Sequence, residues 1–197
     1  MKRTETRAIF VGNVQIGGQN KCVLQSMTNV PAKDVEHSVA QINELAANGC
    51  ELVRTAVLDE EDARAFPAIK ARINIPLIAD IHFNYLLALI CLDGGIDAIR
   101  INPGNIGSRD KVEQVIKKAS AYQIPIRIGV NSGSIRKDIL AKYQRPTAEA
   151  LVESLVEQVE IFEQLDFRDI VLSLKASNVP MMIAANRLVS EKLPYPI

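Results

Sequence analysis

The sequence has no net charge and no long apolar run. Its 23 lysine and arginine residues balance 23 aspartate and glutamate residues, which disfavours binding to nucleic acid or to a membrane surface through bulk charge. Since no stretch of about 18 apolar residues is present, no membrane-spanning segment is expected. Residues 1–7 are polar and charged, so no secretory signal is expected either. These properties predict a cytoplasmic protein without nucleic-acid or membrane partners.

Cysteine is also scarce. Cys22, Cys50 and Cys91 are odd in number, widely spaced and free of any C-x-x-C pair. This pattern argues against a disulfide framework and fits a reducing compartment. We expect all three to be small buried apolar residues, and we predict no metal site among them.

The chain alternates apolar, β-rich runs with helical patterns. A short hairpin that turns at residues 12–13 is predicted first. Helical patterns separate the later runs, and Asp34, Asp59, Ser108 and Thr147 are their candidate N-caps. The strands predicted after the hairpin are 22–28, 51–57, 76–82, 96–102, 124–131 and 169–175.

Strands separated by helices of this length predict parallel pairing with right-handed crossovers. A doubly wound sheet and a (β/α)8 barrel both satisfy the spacing. The barrel is favoured because six units run without a break, the hairpin can close the bottom, and polar residues cluster at the carboxyl ends of strands. Residues 194–197 resemble the X-Pro-X start of earlier strands. We therefore expect an α/β protein, a TIM barrel truncated after about six βα units, with residues 1–197 as a partial domain of a longer protein.

Alternate side chains of a strand point to opposite faces. Polar residues near the carboxyl ends of these strands share one phase, and apolar residues occupy the other, so the polar set is predicted to face the barrel interior near its mouth. The cations among them require an anion of comparable charge, such as a diphosphate. The other members can orient hydroxyl groups or move protons. The predicted binding residues, none of which is assigned as catalytic, are Arg54, Asp80, His82, Arg100, Asn102, Arg127, Asn131 and Lys175.

Other interpretations of these residues stay open. Asp80 can simply pair with Arg54 or Arg100, or act together with His82 as a metal ligand. Lys175 is at the end of the sixth predicted strand, where a Schiff-base aldolase carries its nucleophile. A non-catalytic, anion-binding fragment is a further alternative.

Two loops at the same end add two hypotheses. Backbone N–H groups of residues 102–107 can bind phosphate oxygens, although Pro and Gly also form an ordinary turn. The segment that opens at 132–134 is either a cationic lid over the mouth or a solvated helical excursion. Its cations are Arg136, Lys137, Lys142 and Arg145.

Six longer strings occur in order along the chain: FVGNVQIG (10–17), LQSMTN (24–29), ADIHFNY (79–85), RINPGNIG (100–107), IPIRIGVNSGS (124–134) and SLKAS (173–177). In content and spacing they resemble the 4-hydroxy-3-methylbut-2-enyl diphosphate synthase family, the iron–sulfur enzymes of the non-mevalonate isoprenoid pathway. Arg54, Arg100, Arg127 and Lys175 match the diphosphate-binding cations of that family. Its other pocket residues match Asp80, His82, Asn102 and Asn131.

The resemblance implies a TIM barrel related to dihydropteroate synthase, followed by a smaller domain with a [4Fe–4S] cluster. It implies an oxidoreductase that opens 2-C-methyl-D-erythritol 2,4-cyclodiphosphate with two electrons from ferredoxin or flavodoxin. The cluster ligands and strands seven and eight would lie beyond residue 197, so this chain alone is expected to bind no cluster and to be inactive. The intact enzyme is expected to be a homodimer in which the cluster domain of one subunit closes over the barrel of the other.

Overall fold

The computed structural model describes residues 5–19 and 21–197. Six parallel strands in these ranges form one curled sheet, in sequence order, and an antiparallel hairpin precedes it. This arrangement confirms the predicted class, a truncated TIM barrel with a leading hairpin. The strands are β1 (Ala8–Val11), β2 (Val14–Gly17), β3 (Gln25–Met27), β4 (Leu52–Val57), β5 (Leu77–Ile81), β6 (Ala98–Ile101), β7 (Ile126–Asn131) and β8 (Ile170–Lys175).

Helices follow the barrel strands, and two successive helices connect β7 to β8. Within the described ranges, no helix combines the length and apolar character needed to cross a bilayer. The helices are α1 (Val35–Ala47), α2 (Glu60–Lys70), α3 (Tyr85–Asp93), α4 (Arg109–Ala121), α5 (Lys137–Tyr143), α6 (Ala148–Gln164) and α7 (Val179–Lys192).

The helix starts follow the predicted N-caps. The side chains of Asp34, Asp59 and Thr147 each accept a backbone N–H from the first turn of the helix that follows. Ser108 occupies the N-cap position of α4, but its side chain makes no capping hydrogen bond. Three caps are therefore confirmed in position and chemistry, and the fourth in position only.

The strands separate their two phases as predicted. One phase packs against the helices in the main core, where Val53, Ile81, Ile99, Ile128 and Leu172 are buried. The opposite phase faces the interior of the curled sheet. Because parallel strands end at the same edge, the polar residues of this second phase gather at the carboxyl end of the sheet, which we call the mouth.

The hairpin closes the opposite, amino-terminal end of the barrel. Val11 packs with Leu52, Ile78 and Ala98 in a second apolar cluster. Gly12 turns the hairpin with a φ of 56°, and a Cβ there would stand 3.0 Å from a proline side chain that precedes β5. Glycine therefore permits both the turn and the close approach of the hairpin to the barrel.

The first barrel strand is shorter than the predicted 22–28. Only Gln25–Met27 pairs in register with β4, the sole neighbour of β3 among the described strands. The carbonyl of Leu24 accepts N–H groups from Glu51 and Leu52, outside the regular ladder. With a partner on one side, the backbone keeps strand geometry only where the two strands align.

Candidate functional site

Three arginines surround one buried carboxylate inside the barrel. Asp80 of β5 is 2% exposed, and its Oδ1 lies 3.2 Å from Arg100 Nη1. Its Oδ2 lies 3.3 Å from Arg54 Nε, an ion pair without hydrogen-bond geometry. Arg127 of β7 is next to Arg100 in the ladder. We call Arg54, Arg100 and Arg127 the arginine cluster.

The arginine cluster has more positive charge than Asp80 can neutralise. Burial, with the charges of Arg54 and Arg100, lowers the pKa of Arg127 to about 10. The Nε atoms of all three arginines are buried, and none finds a hydrogen-bond partner in the described part of the chain. Both the unpaired donors and the mutual repulsion cost free energy. An anion would reduce both costs, since guanidinium groups bind phosphate oxygens bidentately.

Strand β3 supplies two partners that sequence reasoning missed. Arg127 Nη1 donates a 2.9 Å hydrogen bond to Gln25 Oε1, and Arg54 Nη2 lies 3.5 Å from Met27 Sδ. Gln25 and Met27 alternate like the interior residues of the other strands. Their alternation could have indicated that both face the barrel interior, but a three-residue strand is too short for its bounds to be predicted from sequence.

Three predicted residues lie further out at the mouth. His82 Nε2 is 3.5 Å from Asp80 Oδ2, and its side chain is 43% exposed. Asn131 and Lys175 are opposite each other at the ends of β7 and β8, the first half-buried and the second exposed. These three side chains can therefore be reached by a molecule that enters from solvent.

Asn102 connects two loops at the mouth. Its buried side chain donates from Nδ2 to Ser134 Oγ at 3.0 Å and accepts the Gly104 N–H at 3.2 Å. Ser134 Oγ in turn donates to the carbonyl of Asn131 at 3.1 Å. The Asn105 N–H donates to the carbonyl of Asn102. Two backbone donors of the 102–107 loop are thus used internally, as in an ordinary turn.

The cationic segment after β7 is docked on α6. Arg136 Nη1 lies 2.8 Å from Glu157 Oε2, and Lys142 Nζ lies 2.6 Å from Glu153 Oε2. Two of its four predicted cations are therefore neutralised by acidic residues of this chain. The ion pairs favour the helical excursion over the free cationic lid.

The cysteines are dispersed, and two of them are not buried. Cys91 is buried in α3, where burial raises the pKa of its thiol to about 12. Cys22 is exposed and Cys50 half-buried, so the predicted burial was wrong for both. They precede β3 and β4 at the amino-terminal end, outside the paired strands that exclude solvent. In residues 5–19 and 21–197, no group of three His, Cys, Asp or Glu side chains can hold a metal ion.

A cavity of about 480 Å³ lies at the amino-terminal end, away from the mouth. Residues of the hairpin, β3, β8 and the segment after α7 line it, and Arg127 borders it. Its walls bring together Cys22, Leu52 and Val171 and lack the buried carboxylate and paired arginines of the mouth. The chemistry therefore points to the mouth as the candidate site.

Solved structures of low sequence identity share this fold. A truncated form of 3-deoxy-D-arabino-heptulosonate 7-phosphate synthase from Thermotoga maritima has a TM-score of 0.68 at 15% identity, over 98% of this chain and 68% of that one. The 7,8-dihydropteroate synthase of Vibrio fischeri has a TM-score of 0.61 at 13% identity, over 94% of this chain and 73% of that one. These likenesses support the barrel architecture alone.

A curated relative is much more similar in sequence. The 4-hydroxy-3-methylbut-2-en-1-yl diphosphate synthase (flavodoxin) of Clostridium perfringens is 57% identical over 197 residues, which are 100% of this chain and 56% of that protein. The chain thus spans about half the length of the curated relatives it matches. The family model of the GcpE TIM-barrel domain matches residues 6–197. The chain therefore belongs to the GcpE TIM-barrel domain family.

Proposed function

We propose that this chain is the diphosphate-binding barrel of an enzyme that reductively opens 2-C-methyl-D-erythritol 2,4-cyclodiphosphate to 4-hydroxy-3-methylbut-2-enyl diphosphate, in isoprenoid biosynthesis. The observation that carries the proposal is the arginine cluster around Asp80, with three buried Nε atoms that find no partner among the residues the structure describes. The names of the relatives support the same product and a role for flavodoxin.

The arginine cluster would fix the diphosphate group. Each charge-assisted hydrogen bond to an anion contributes roughly 1.5–3 kcal/mol, and the buried position of the arginines strengthens it relative to water. Asp80 pairs with both Arg54 and Arg100, which limits the side-chain motion that binding would otherwise have to restrict. Lys175 would add a point charge from the rim.

The uncharged residues of the mouth would orient the carbon skeleton. The imidazole of His82 and the amide of Asn131 can each hydrogen-bond a substrate hydroxyl. Asn102 would contribute indirectly, because its buried amide positions both loops that border the mouth. Fixing the diphosphate and the hydroxyl groups together would restrict the substrate to one geometry for reduction.

An iron–sulfur cluster does not fit the described residues. The thiol of Cys91 is buried with a raised pKa, whereas a ligand must be a thiolate. Cys50 Sγ donates to the carbonyl of Leu52 at 2.8 Å. We therefore assign the ligands of a [4Fe–4S] cluster, together with the last two strands of an eight-stranded barrel, to a part of the intact enzyme outside this chain. That enzyme would be a cytoplasmic homodimer reduced by flavodoxin or ferredoxin, and the flavodoxin in the relatives' name favours the former.

The Schiff-base alternative depends on Lys175. A lysine nucleophile is activated by desolvation or by a neighbouring cation in an apolar pocket. Lys175 is exposed to solvent at the end of β8 and is not enclosed in an apolar pocket of this kind. The role of a point charge for an anion is therefore the better supported one.

The test is turnover by the intact protein with reduced flavodoxin, followed by ³¹P NMR. The signals of the cyclodiphosphate should give way to those of a linear diphosphate, and Arg54→Ala should slow this conversion. Arg64→Ala is the matched control, because Arg64 is exposed on α2 and pairs only with Glu60 among the described residues. Binding without turnover would favour the non-catalytic alternative, and a borohydride-trapped carbonyl adduct on Lys175 would favour the aldolase.

A further inference from the structure

Gly129 is in the middle of β7, on the phase that faces the barrel interior. It pairs in register with Ser173 of β8. Its φ lies outside the left-handed region, so any residue can adopt its backbone conformation. Glycine inside a strand weakens the strand and often marks the close approach of another group. A glycine at this position is therefore explained by the space beside it rather than by its backbone conformation.

The space beside Gly129 is filled by the guanidinium group of Arg100. A Cβ at position 129 would stand 2.6 Å from Nη2, 2.7 Å from Nε and 2.9 Å from Cζ of Arg100. All three distances are far below the contact distance of about 3.5 Å between nonbonded heavy atoms. The guanidinium group is thus packed directly on the strand, where only a glycine leaves room for it.

The same guanidinium group pairs with Asp80 across the interior. Arg100 Nη1 is 3.2 Å from Asp80 Oδ1, and the arginine side chain is 9% exposed. Gly129 and Asp80 therefore confine Arg100 from two sides. A methyl group at position 129 would displace the guanidinium group by roughly 0.9 Å to restore the normal contact distance. Because Asp80 occupies the other side, the group cannot move straight away from the strand, so it must turn out of its present pairing geometry with Asp80.

We propose that Gly129 is a positioning residue, whose missing side chain holds the guanidinium group of Arg100 against Asp80 in the orientation that binds the diphosphate of the substrate. The identity of that anion rests on the proposed function. All three close contacts are with the mobile end of a side chain and none with backbone. A larger residue is therefore accommodated by moving Arg100, so the fold survives and the loss falls on anion binding.

The first test is Gly129→Ala in the intact protein. The Kd and KM for the cyclodiphosphate should rise by about tenfold or more, with a smaller change in kcat, because misplacing a binding group by a fraction of an ångström forfeits most of its interaction. Gly133→Ala is the matched control. A Cβ at Gly133 meets nothing within 4 Å, and its φ also lies outside the left-handed region. An unchanged KM in Gly129→Ala would overturn the inference.

A double-mutant cycle separates positioning from a merely structural role. In the Arg100→Ala background there is no guanidinium group to displace, so adding Gly129→Ala should weaken binding by less than about twofold. If Gly129→Ala costs the same factor in both backgrounds, it acts through the strand itself and the inference is wrong.

A crystal structure of the Gly129→Ala protein without substrate gives a readout independent of the reaction. The guanidinium group of Arg100 should be displaced by roughly 0.9 Å relative to the wild-type protein, with a changed pairing geometry to Asp80. An unchanged guanidinium position would overturn the inference, even if the wild-type protein binds the cyclodiphosphate. If the wild-type protein does not bind it, the proposed function fails, and the position of Arg100 still decides whether Gly129 controls it.

Discussion

The two ends of the barrel interior are built from the same strands and have opposite chemistry. At the amino-terminal end, Leu52, Ile78 and Ala98 pack under the hairpin in an apolar cluster. Two positions further along the same three strands, the interior side chains are Arg54, Asp80 and Arg100. These two layers are only about 7 Å apart, since a strand rises about 3.3 Å per residue.

The difference shows how one strand phase serves two purposes. The apolar layer gains free energy from burial, roughly 25 cal/mol per Å² of apolar surface removed from water. The charged layer costs free energy, because its buried Nε donors find no partner in residues 5–19 and 21–197. We call the apolar layer the lower layer and the charged layer the upper layer. A change in the lower layer should alter stability, whereas a change in the upper layer should alter anion binding.

The largest expected effect comes from the lower layer. Ile78→Ala should reduce the free energy of unfolding of the intact protein by about 2–5 kcal/mol, because it leaves a cavity beneath the hairpin. Urea unfolding measures this loss, and calorimetry should find the affinity for the cyclodiphosphate unchanged. Ile78→Val should cost roughly 1 kcal/mol. A large loss of affinity in either variant would show that the two layers are not independent.

The second effect is in the upper layer. Arg100→Ala should weaken cyclodiphosphate binding by about tenfold to a hundredfold, since it removes charge-assisted hydrogen bonds to the anion. Arg72→Ala serves as the control, because Arg72 is exposed and pairs with Glu36 on the outer surface. Titration calorimetry distinguishes the two variants, and equal affinities would remove Arg100 from the site.

Replacing Arg127 should change stability and anion binding in opposite directions. The lowered pKa of Arg127 means that the folded state disfavours its charged form. At pH 7 the group is protonated in both the folded and the unfolded state, so this cost is fully present. Arg127→Met should therefore raise the free energy of unfolding by about 1 kcal/mol while binding weakens. A loss of stability would instead give greater weight to its hydrogen bond with Gln25.

The smallest effects concern the cysteines. Cys91→Ala should cost on the order of 1 kcal/mol, because Cys91 is buried, and Cys22→Ala less than about 0.5 kcal/mol, because Cys22 is exposed. Neither substitution should change the iron content of the intact enzyme. Loss of iron from a folded variant would contradict the assignment of the cluster ligands to a region outside this chain.

Sequence alternation was sufficient to bring the arginine cluster and Asp80 together. Parallel strands end at one edge, so residues of the same phase near those ends meet whatever the exact register. The contact between Gln25 and Arg127 was not accessible in this way, since it joins residues 102 positions apart through a very short strand. The exposure of Cys22, the partial exposure of Cys50 and the pairing of Arg136 with Glu157 depend on how irregular segments pack. The sequence has no periodic signal for such packing.

The single hydroxyl of Ser134 joins the loops after β6 and β7, because it accepts from Asn102 and donates to the carbonyl of Asn131. Local opening of either loop must break this shared junction, so the two loops should open as one cooperative unit. Amide hydrogen exchange would then report similar opening free energies for both loops. Removing one oxygen atom in Ser134→Ala should let the two loops exchange independently. The mouth would then lose the hydrogen-bonded junction between its loops, while the sheet beneath it stays folded.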